Sequence, residues 1–280
     1  MMTLPLFIRR AIVVLIAVLV AGTVGGLGAW KFGAFKPSTA TSTALPTGLP
    51  VLANSCASGY VTFTFDDGPD VHTLALASEL LAEHVPAVFF EIGDKVAATP
   101  GITRTLAQHG FVIGNHTWDH KSLTGASTKS APLTDAQARA ELARASAAIV
   151  AAGAPKPTLW RAPYDDASQH DVSLATAQGL RLVMSYGVPA SGNIADSQDW
   201  SGNSPASIAT HVDSGYTLHG VSYPGMRANT ILSFHDGIPS AVNTIKAIPV
   251  IVAWMNAHHL CATSTVRPDA TGGILSPVGG

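Results

Sequence analysis

Charge is what this 280-residue sequence has least of: Asp, Glu, Lys and Arg make up 12%, about half the usual share of a soluble domain. The 16 Lys and Arg stand against 18 Asp and Glu, so the formal charge is −2 and neither sign dominates. That balance offers no electrostatic footprint for nucleic acid or another polyanion, and it points to a partner that is neutral or bound with little steering. Cysteine is nearly absent, with two residues, so at most one intrachain disulfide is available. No internal repeat is visible.

Hydrophobic residues, by contrast, reach 47%, and part of the excess lies in one segment. After Arg9-Arg10 the chain carries no charge from Ala11 to Trp30, until Lys31. About 20 residues at about 1.5 Å each span a bilayer core. The segment at 1–35 reads as a single-pass membrane anchor or as a cleaved signal, the latter with only marginal cleavage sites at Ala21-Gly22-Thr23 and Gly26-Leu27-Gly28. A buried core helix is the poorest reading, because Gly22, Gly25, Gly26 and Gly28 weaken any helix in water. Either leading reading puts the remainder outside the cytoplasm, membrane-anchored or secreted, and the cationic flank agrees. Residues 36–55, rich in Ser, Thr, Ala and Pro, read as a linker. A single domain is expected at 56–265, with a tail at 266–280. In an exported chain Cys56 and Cys261 read as a disulfide tying the start of that domain to its end, against the alternative of two buried thiols.

Within the domain, β-rich and helical stretches alternate. Tyr60 to Phe65 is a strand that ends in the turn cluster Asp66-Asp67-Gly68-Pro69. Thr73 to His84 is helical, Ala87 to Ile92 a strand, Thr103 to His109 a short helix and Phe111 to Gly114 a strand. Thr134 and Gln137 form a capping box that opens a helix ending at Gly153. Strands follow at Thr158–Trp160, Leu180–Tyr186 and Thr230–Phe234, and helices near Asp171–Gln178 and Pro205–Val212. A last helix runs to about His259, with Pro249 in or just before its first turn. Such alternation predicts an α/β fold with parallel strands, closed or nearly closed into a barrel. Its polar clusters fall at C-terminal strand ends: Asp66-Asp67, His116, Arg161, Asp199 and His235.

Two adjacent carboxylates repel, so Asp66-Asp67 asks for a cation beside it, although a plain turn explains the same residues. His116 and His120, at i and i+4, suit one face of a helical turn and one metal ion. With the acidic strand end they make a candidate set of one Asp and two His, leaving a position open for hydrolytic chemistry. Arg161 can hold a carboxylate ionised, Asp199 can orient a histidine, and Trp200 offers a flat apolar face for a sugar ring. His235, at the end of an apolar strand, is placed as a general acid.

These segments, in this order, resemble the polysaccharide deacetylase (NodB-homology) family, carbohydrate esterase family 4. The resemblance rests on Thr64–Pro69, His116–His120, Arg161–Tyr164, Asp199-Trp200, and Leu232 with His235-Asp236. It implies a distorted (β/α) barrel and hydrolysis of N-acetyl groups from a peptidoglycan- or chitin-like polymer. A divalent metal is implied, with Zn2+ expected and Co2+ or another divalent ion allowed. By the resemblance Asp67, His116 and His120 bind the metal and Asp66 is the general base. His235 is the acid, Arg161 holds Asp66, and Asp199 orients His235. The Tyr164 N–H would bind the oxyanion, and Trp200 and Leu232 would wall the acetyl pocket. A monomeric catalytic domain is expected. An acetylxylan esterase is the rival enzyme, and a decayed glycan-binding module would need a missing ligand, base or acid. Asp165-Asp166 and Ser168 depart from the family's usual Gly and Asn, and Asp119 adds a charge near the histidines. Residues 212–227 look like a lengthened connection that serves either as a substrate loop or as a mere link.

Overall fold

The run from Gly59 to Gly68 (β1) sends alternate side chains to opposite faces, and both faces are buried. Val61, Phe63 and Phe65 enter one core, while Thr62, Thr64 and Asp66 take the other side. A strand buried twice suits the centre of a parallel sheet. The computed structural model describes residues 56–184, 194–268 and 275–277. The expected membrane segment at 1–35 and linker at 36–55 lie outside these. No helix among the described residues is long and apolar enough to cross a membrane.

After β1 come α1 (Thr73–Ala82), β2 (Ala87–Glu91), α2 (Gly93–Ala98), α3 (Pro100–Gln108), β3 (Val112–Asn115) and α4 (Asp135–Ala151). Then follow β4 (Leu159–Trp160), α5 (Gln169–Thr176), β5 (Arg181–Leu182), β6 (Ile194–Asp196) and α6 (Pro205–Ser214). The chain continues through β7 (Gly215–Leu218), β8 (Val221–Pro224), β9 (Thr230–His235), α7 (Ala241–Ala257) and β10 (Leu260–Ala262). It closes with β11 (Val266–Pro268) and β12 (Leu275–Pro277), which pair with each other.

The main sheet is parallel in the order β5-β4-β3-β2-β1-β9-β6, with β10 on the opening residues of β1. The expected barrel closure is not seen: among the described residues β5 and β6 remain as two open ends. The sheet is a half-barrel, and the end of the expected strand at Leu180–Tyr186 falls outside the described residues. Under the helices, Phe63, Phe65, Phe89, Phe234 and Phe111 pack ring against ring at 5.1–5.9 Å. Burying each such side chain contributes roughly 1.5–3 kcal/mol. On the inner side Val88, Phe90, Leu159, Val183, Ile194 and Ile231 fill the curve of the sheet.

The capping box at Thr134 and Gln137 is present and starts α4. A second box, Ser168 with Asp171, starts α5. Pro249 corrects the expectation for the last helix: it lies inside α7, not at its start. Proline lacks the N–H that would bond four residues back. The apolar face of Ala241, Ala247, Ile248, Ile251, Val252 and Met255, packed in the core, carries the helix through that gap. Cys56 and Cys261 form the expected disulfide, closing a separation of 205 residues.

Candidate active site

Polar side chains gather where β1, β3, β4, β6 and β9 end. They line a cleft of about 330 Å³ made by Asp66, Asp67, His116, His120, Tyr164, Asp196, Trp200, Ser233 and His235. Asp66 stays in the strand and turns inward. Asp67 is the bulge of β1, where the register to β2 shifts and the backbone turns left-handed, φ 71°. That twist lets neighbouring carboxylates reach the same cleft. The turn is held by Lys95, whose Nζ donates to the Asp67 carbonyl at 2.7 Å. Gly237 lies so close that a Cβ there would meet the same carbonyl at 1.8 Å.

The two histidines meet by a different route from the helical turn expected for i and i+4 spacing. Residues 116–120 are a loop, with left-handed φ at Thr117 (64°) and His120 (60°). Glu141 ties this loop down by accepting the N–H groups of Trp118 and Asp119 at 3.0 and 3.2 Å. Asn115 accepts the N–H of Thr117 at 2.8 Å. Asp67 Oδ1 then lies 3.3 Å from His116 Nε2 and 3.0 Å from His120 Nε2.

Asp67, His116 and His120 each offer one ligand atom, all within 4.8 Å of one another. His116 Nδ1 is 2.9 Å from the Arg161 carbonyl, which has no proton to give. Nδ1 therefore carries a hydrogen, and Nε2 faces Asp67. Asp67 Oδ1 is buried without a hydrogen-bond partner. A buried, orphaned carboxylate oxygen beside two imidazole nitrogens is a donor set that fits a divalent cation. Burial is the strongest single influence on Asp67 and works to raise its pKa. Close contacts with His116 and His120, and the charges of His116 and His235, overcome it and hold the carboxyl well below the usual range. Burial likewise opposes the charged form of His116, but Asp67, Asp66 and the Arg161 carbonyl outweigh it and raise its pKa.

Asp66 accepts from Arg161 Nη1 at 2.7 Å, and the pair is buried. Arg161 also donates to Thr64 Oγ1 and to the carbonyls of Val183 and Met184, at 2.9–3.0 Å. Across the strand boundary, Asp66 is in register with His235, so both side chains project side by side into the cleft. His235 Nδ1–H donates to Asp199 Oδ1 at 2.8 Å, which leaves Nε2 for the cleft. Asp199 is fully buried and also accepts from Thr244 and from the His235 N–H. Burial, the largest influence, favours neutral His235, yet Asp199, Asp66 and Asp67 together push its pKa up to about 10.

Tyr164 (54% exposed) and Trp200 (56% exposed) stand at the mouth. Leu232 does not join them and is a correction to the expected pocket wall. Period-two alternation along β9 sends Leu232 and Phe234 into the helix-side core and leaves Ser233 and His235 on the cleft. Two lining residues, Ser233 and Asp196, were thus not singled out as site residues by sequence reasoning. Counting alternate positions back from His235 would have found Ser233.

Fold and site together define an α/β protein whose cleft brings one carboxylate and two imidazoles into a donor set that fits a cation. A family model described as polysaccharide deacetylase matches residues 54–183. The chain is 34% identical to the bifunctional xylanase/xylan deacetylase of Cellvibrio japonicus, over 80% of this chain and 29% of that protein. It is 31% identical to the chitooligosaccharide deacetylase of Bradyrhizobium sp. (strain ANU 289), over 64% of this chain and 71% of that protein. Among solved structures, it resembles a family 4 carbohydrate esterase from Streptomyces lividans in complex with acetate, with TM-score 0.63 and 28% identity. That match covers 79% of this chain and 97% of the other. The chain belongs to the polysaccharide deacetylase family. It spans 29–53% of the length of three other curated relatives, the xylanase/xylan deacetylase included.

Proposed function

We propose that this chain is a metal-dependent hydrolase that removes N-acetyl groups from a GlcNAc polymer, peptidoglycan or chitin-like. Asp67, His116 and His120 would hold the divalent ion, with Zn2+ the first choice. When bound, such an ion supplies Lewis-acid polarisation of an acyl oxygen and eases deprotonation of water. Asp66 takes the proton of the attacking water, and Arg161 fixes the carboxylate for that task. The Tyr164 N–H donates to the developing oxyanion. His235 Nε2–H protonates the leaving nitrogen, and Asp199 keeps the ring oriented and charged. Trp200 gives the sugar ring a flat apolar surface at the mouth.

One observation carries this reading. A base and an acid, Asp66 and His235, project from paired strand positions into the cleft that also holds the orphaned Asp67 oxygen. An amide needs such an acid, because its nitrogen leaves poorly unless protonated. The Asp199 carboxylate beside His235 Nδ1 favours the charged ring that such an acid requires. The 34% identity to a protein named for xylan deacetylation supports O-acetyl xylan as the second reading. An extracytoplasmic location, anchored or secreted, is proposed with it, and the Cys56–Cys261 disulfide supports an oxidising compartment.

Acetate release over chitooligosaccharides, peptidoglycan and acetylxylan, with added Zn2+ or Co2+, tests both readings. Release from the GlcNAc polymers is expected, lost on chelation and restored by metal. Full activity after complete metal removal would refute the metal-dependent reading, and release from acetylxylan alone would decide for the second one.

A further inference from the structure

The mechanism leaves one carboxylate in the cleft unemployed. Asp196 ends β6 opposite Ser233 of β9, and both side chains line the cleft beside His235. Asp196 is buried, and two protein donors fix its carboxylate. Oδ1 accepts the Gln198 N–H at 2.9 Å, and Oδ2 accepts the Tyr216 hydroxyl at 2.9 Å. Each oxygen keeps a second acceptor site for a ligand.

Tyr216 comes from the hairpin β7–β8, the stretch that looks like a lengthened connection in the sequence. Its ring is held on two sides of the local structure. It stacks on Tyr223, its register partner, at 4.6 Å and 9°, and it packs against His211 at 4.4 Å. His211 is itself anchored to the Ser197 carbonyl at 3.0 Å. The root of the hairpin cannot drift: Gly215 has φ 77°, and a Cβ there would lie 2.3 Å from the Tyr223 carbonyl. A surface hairpin fixed this firmly, and reaching one hydroxyl down to a cleft carboxylate, does more than connect α6 to β9.

We propose that Asp196 is a specificity-determining residue that accepts a hydrogen bond from a hydroxyl of the sugar ring bearing the acetyl group. Tyr216 is then the positioning residue that aims it. The inference rests on the deacetylase reading and deepens it. It makes the substrate a pyranose with a free hydroxyl near the acetylated position, not any acetyl ester or amide.

The test uses the full chain with two probes. One is the acetylated glycan the wild type turns over, N-acetylchitopentaose or acetylxylan. The other is 4-nitrophenyl acetate, which has no sugar hydroxyl. For Tyr216→Phe and Asp196→Asn, KM on the glycan is expected to rise with kcat largely kept. The glycan-to-aryl ratio of kcat/KM should fall by roughly tenfold, the scale of one hydrogen bond. Leu218→Ala, at the exposed hairpin tip, should leave the ratio alone. An equal fall of kcat on both probes would overturn the proposal by making Asp196 and Tyr216 mere supports of His235. An unchanged ratio in both variants would overturn it as well. Those results leave wild-type deacetylation standing, whereas a wild type that releases acetate from neither probe sinks the deacetylase reading and this inference with it.

Discussion

Replacing Arg161 with methionine should strip the fold of more stability than any exposed substitution could. The guanidinium is fully buried and donates four hydrogen bonds of 2.7–3.0 Å, one of them to the buried carboxylate of Asp66. It also lies 4.4 Å from the centre of the Phe90 ring. Met fills similar space, so cavity formation is small. What remains is an uncompensated carboxylate in the interior and two carbonyls without donors. Breaking a buried pair in this way costs about 3–5 kcal/mol, a large part of a domain's total of about 5–15 kcal/mol. Urea unfolding followed by circular dichroism measures it, with chelator present so that metal binding adds nothing. The loss comes mainly from the stranded charge, so neutralising it should recover stability. Asp66→Asn combined with Arg161→Met should cost about 1–3 kcal/mol less than the two single losses added together. A single-variant loss below about 1 kcal/mol, or strict additivity in the cycle, would show that Asp66 does not depend on Arg161.

Asp66→Asn alone should abolish acetate release while isothermal titration still finds a Zn2+ site. An unchanged rate would remove Asp66 from the role of base. Cys56→Ser with Cys261→Ser should lower the unfolding free energy by up to about 5 kcal/mol in the chain-entropy model, given a separation of 205 residues. A thermal midpoint equal to that of the wild type would contradict this. Glu91 supplies a pH test. Burial, the leading cause, lifts its pKa from 4.5 to about 8, with Thr103 opposing and Asp236 adding to the rise. Between those values the folded chain keeps a proton that the unfolded chain has released, so stability falls as pH rises through that window. Glu91→Gln keeps an acceptor for Thr103 and should flatten the slope between pH 5 and 8. A slope equal to the wild type's would refute the assignment.

The strand ends were legible because local signals carry them. Alternation along Tyr60–Phe65 locates β1, and the turn residues after it locate the cleft. The Thr134–Gln137 box needs only local hydrogen bonding. Side-chain direction at strand ends was harder to read. His116 and His120 converge through left-handed loop residues held by Glu141 and Asn115, and nothing in their spacing announces that. Leu232 was misplaced by one position on β9, which in a strand means the opposite face. Pro249 reads as a helix start by local preference, but core packing along α7 overrides it. Asp196 gains its meaning only from Tyr216, a contact made across 20 residues of sequence. Barrel closure, too, depends on partners far apart in the chain.

The disulfide has a geometric corollary. Cys56 sits just before β1, and Cys261 lies in β10, which pairs with the opening residues of β1. The cleft is at the other end of the same strand, ten residues away, or roughly 30 Å at strand rise. At Cys56 the backbone thus enters the domain at the pole opposite the mouth of the cleft. A probe attached beside the disulfide would sit at the far end of β1 from the opening.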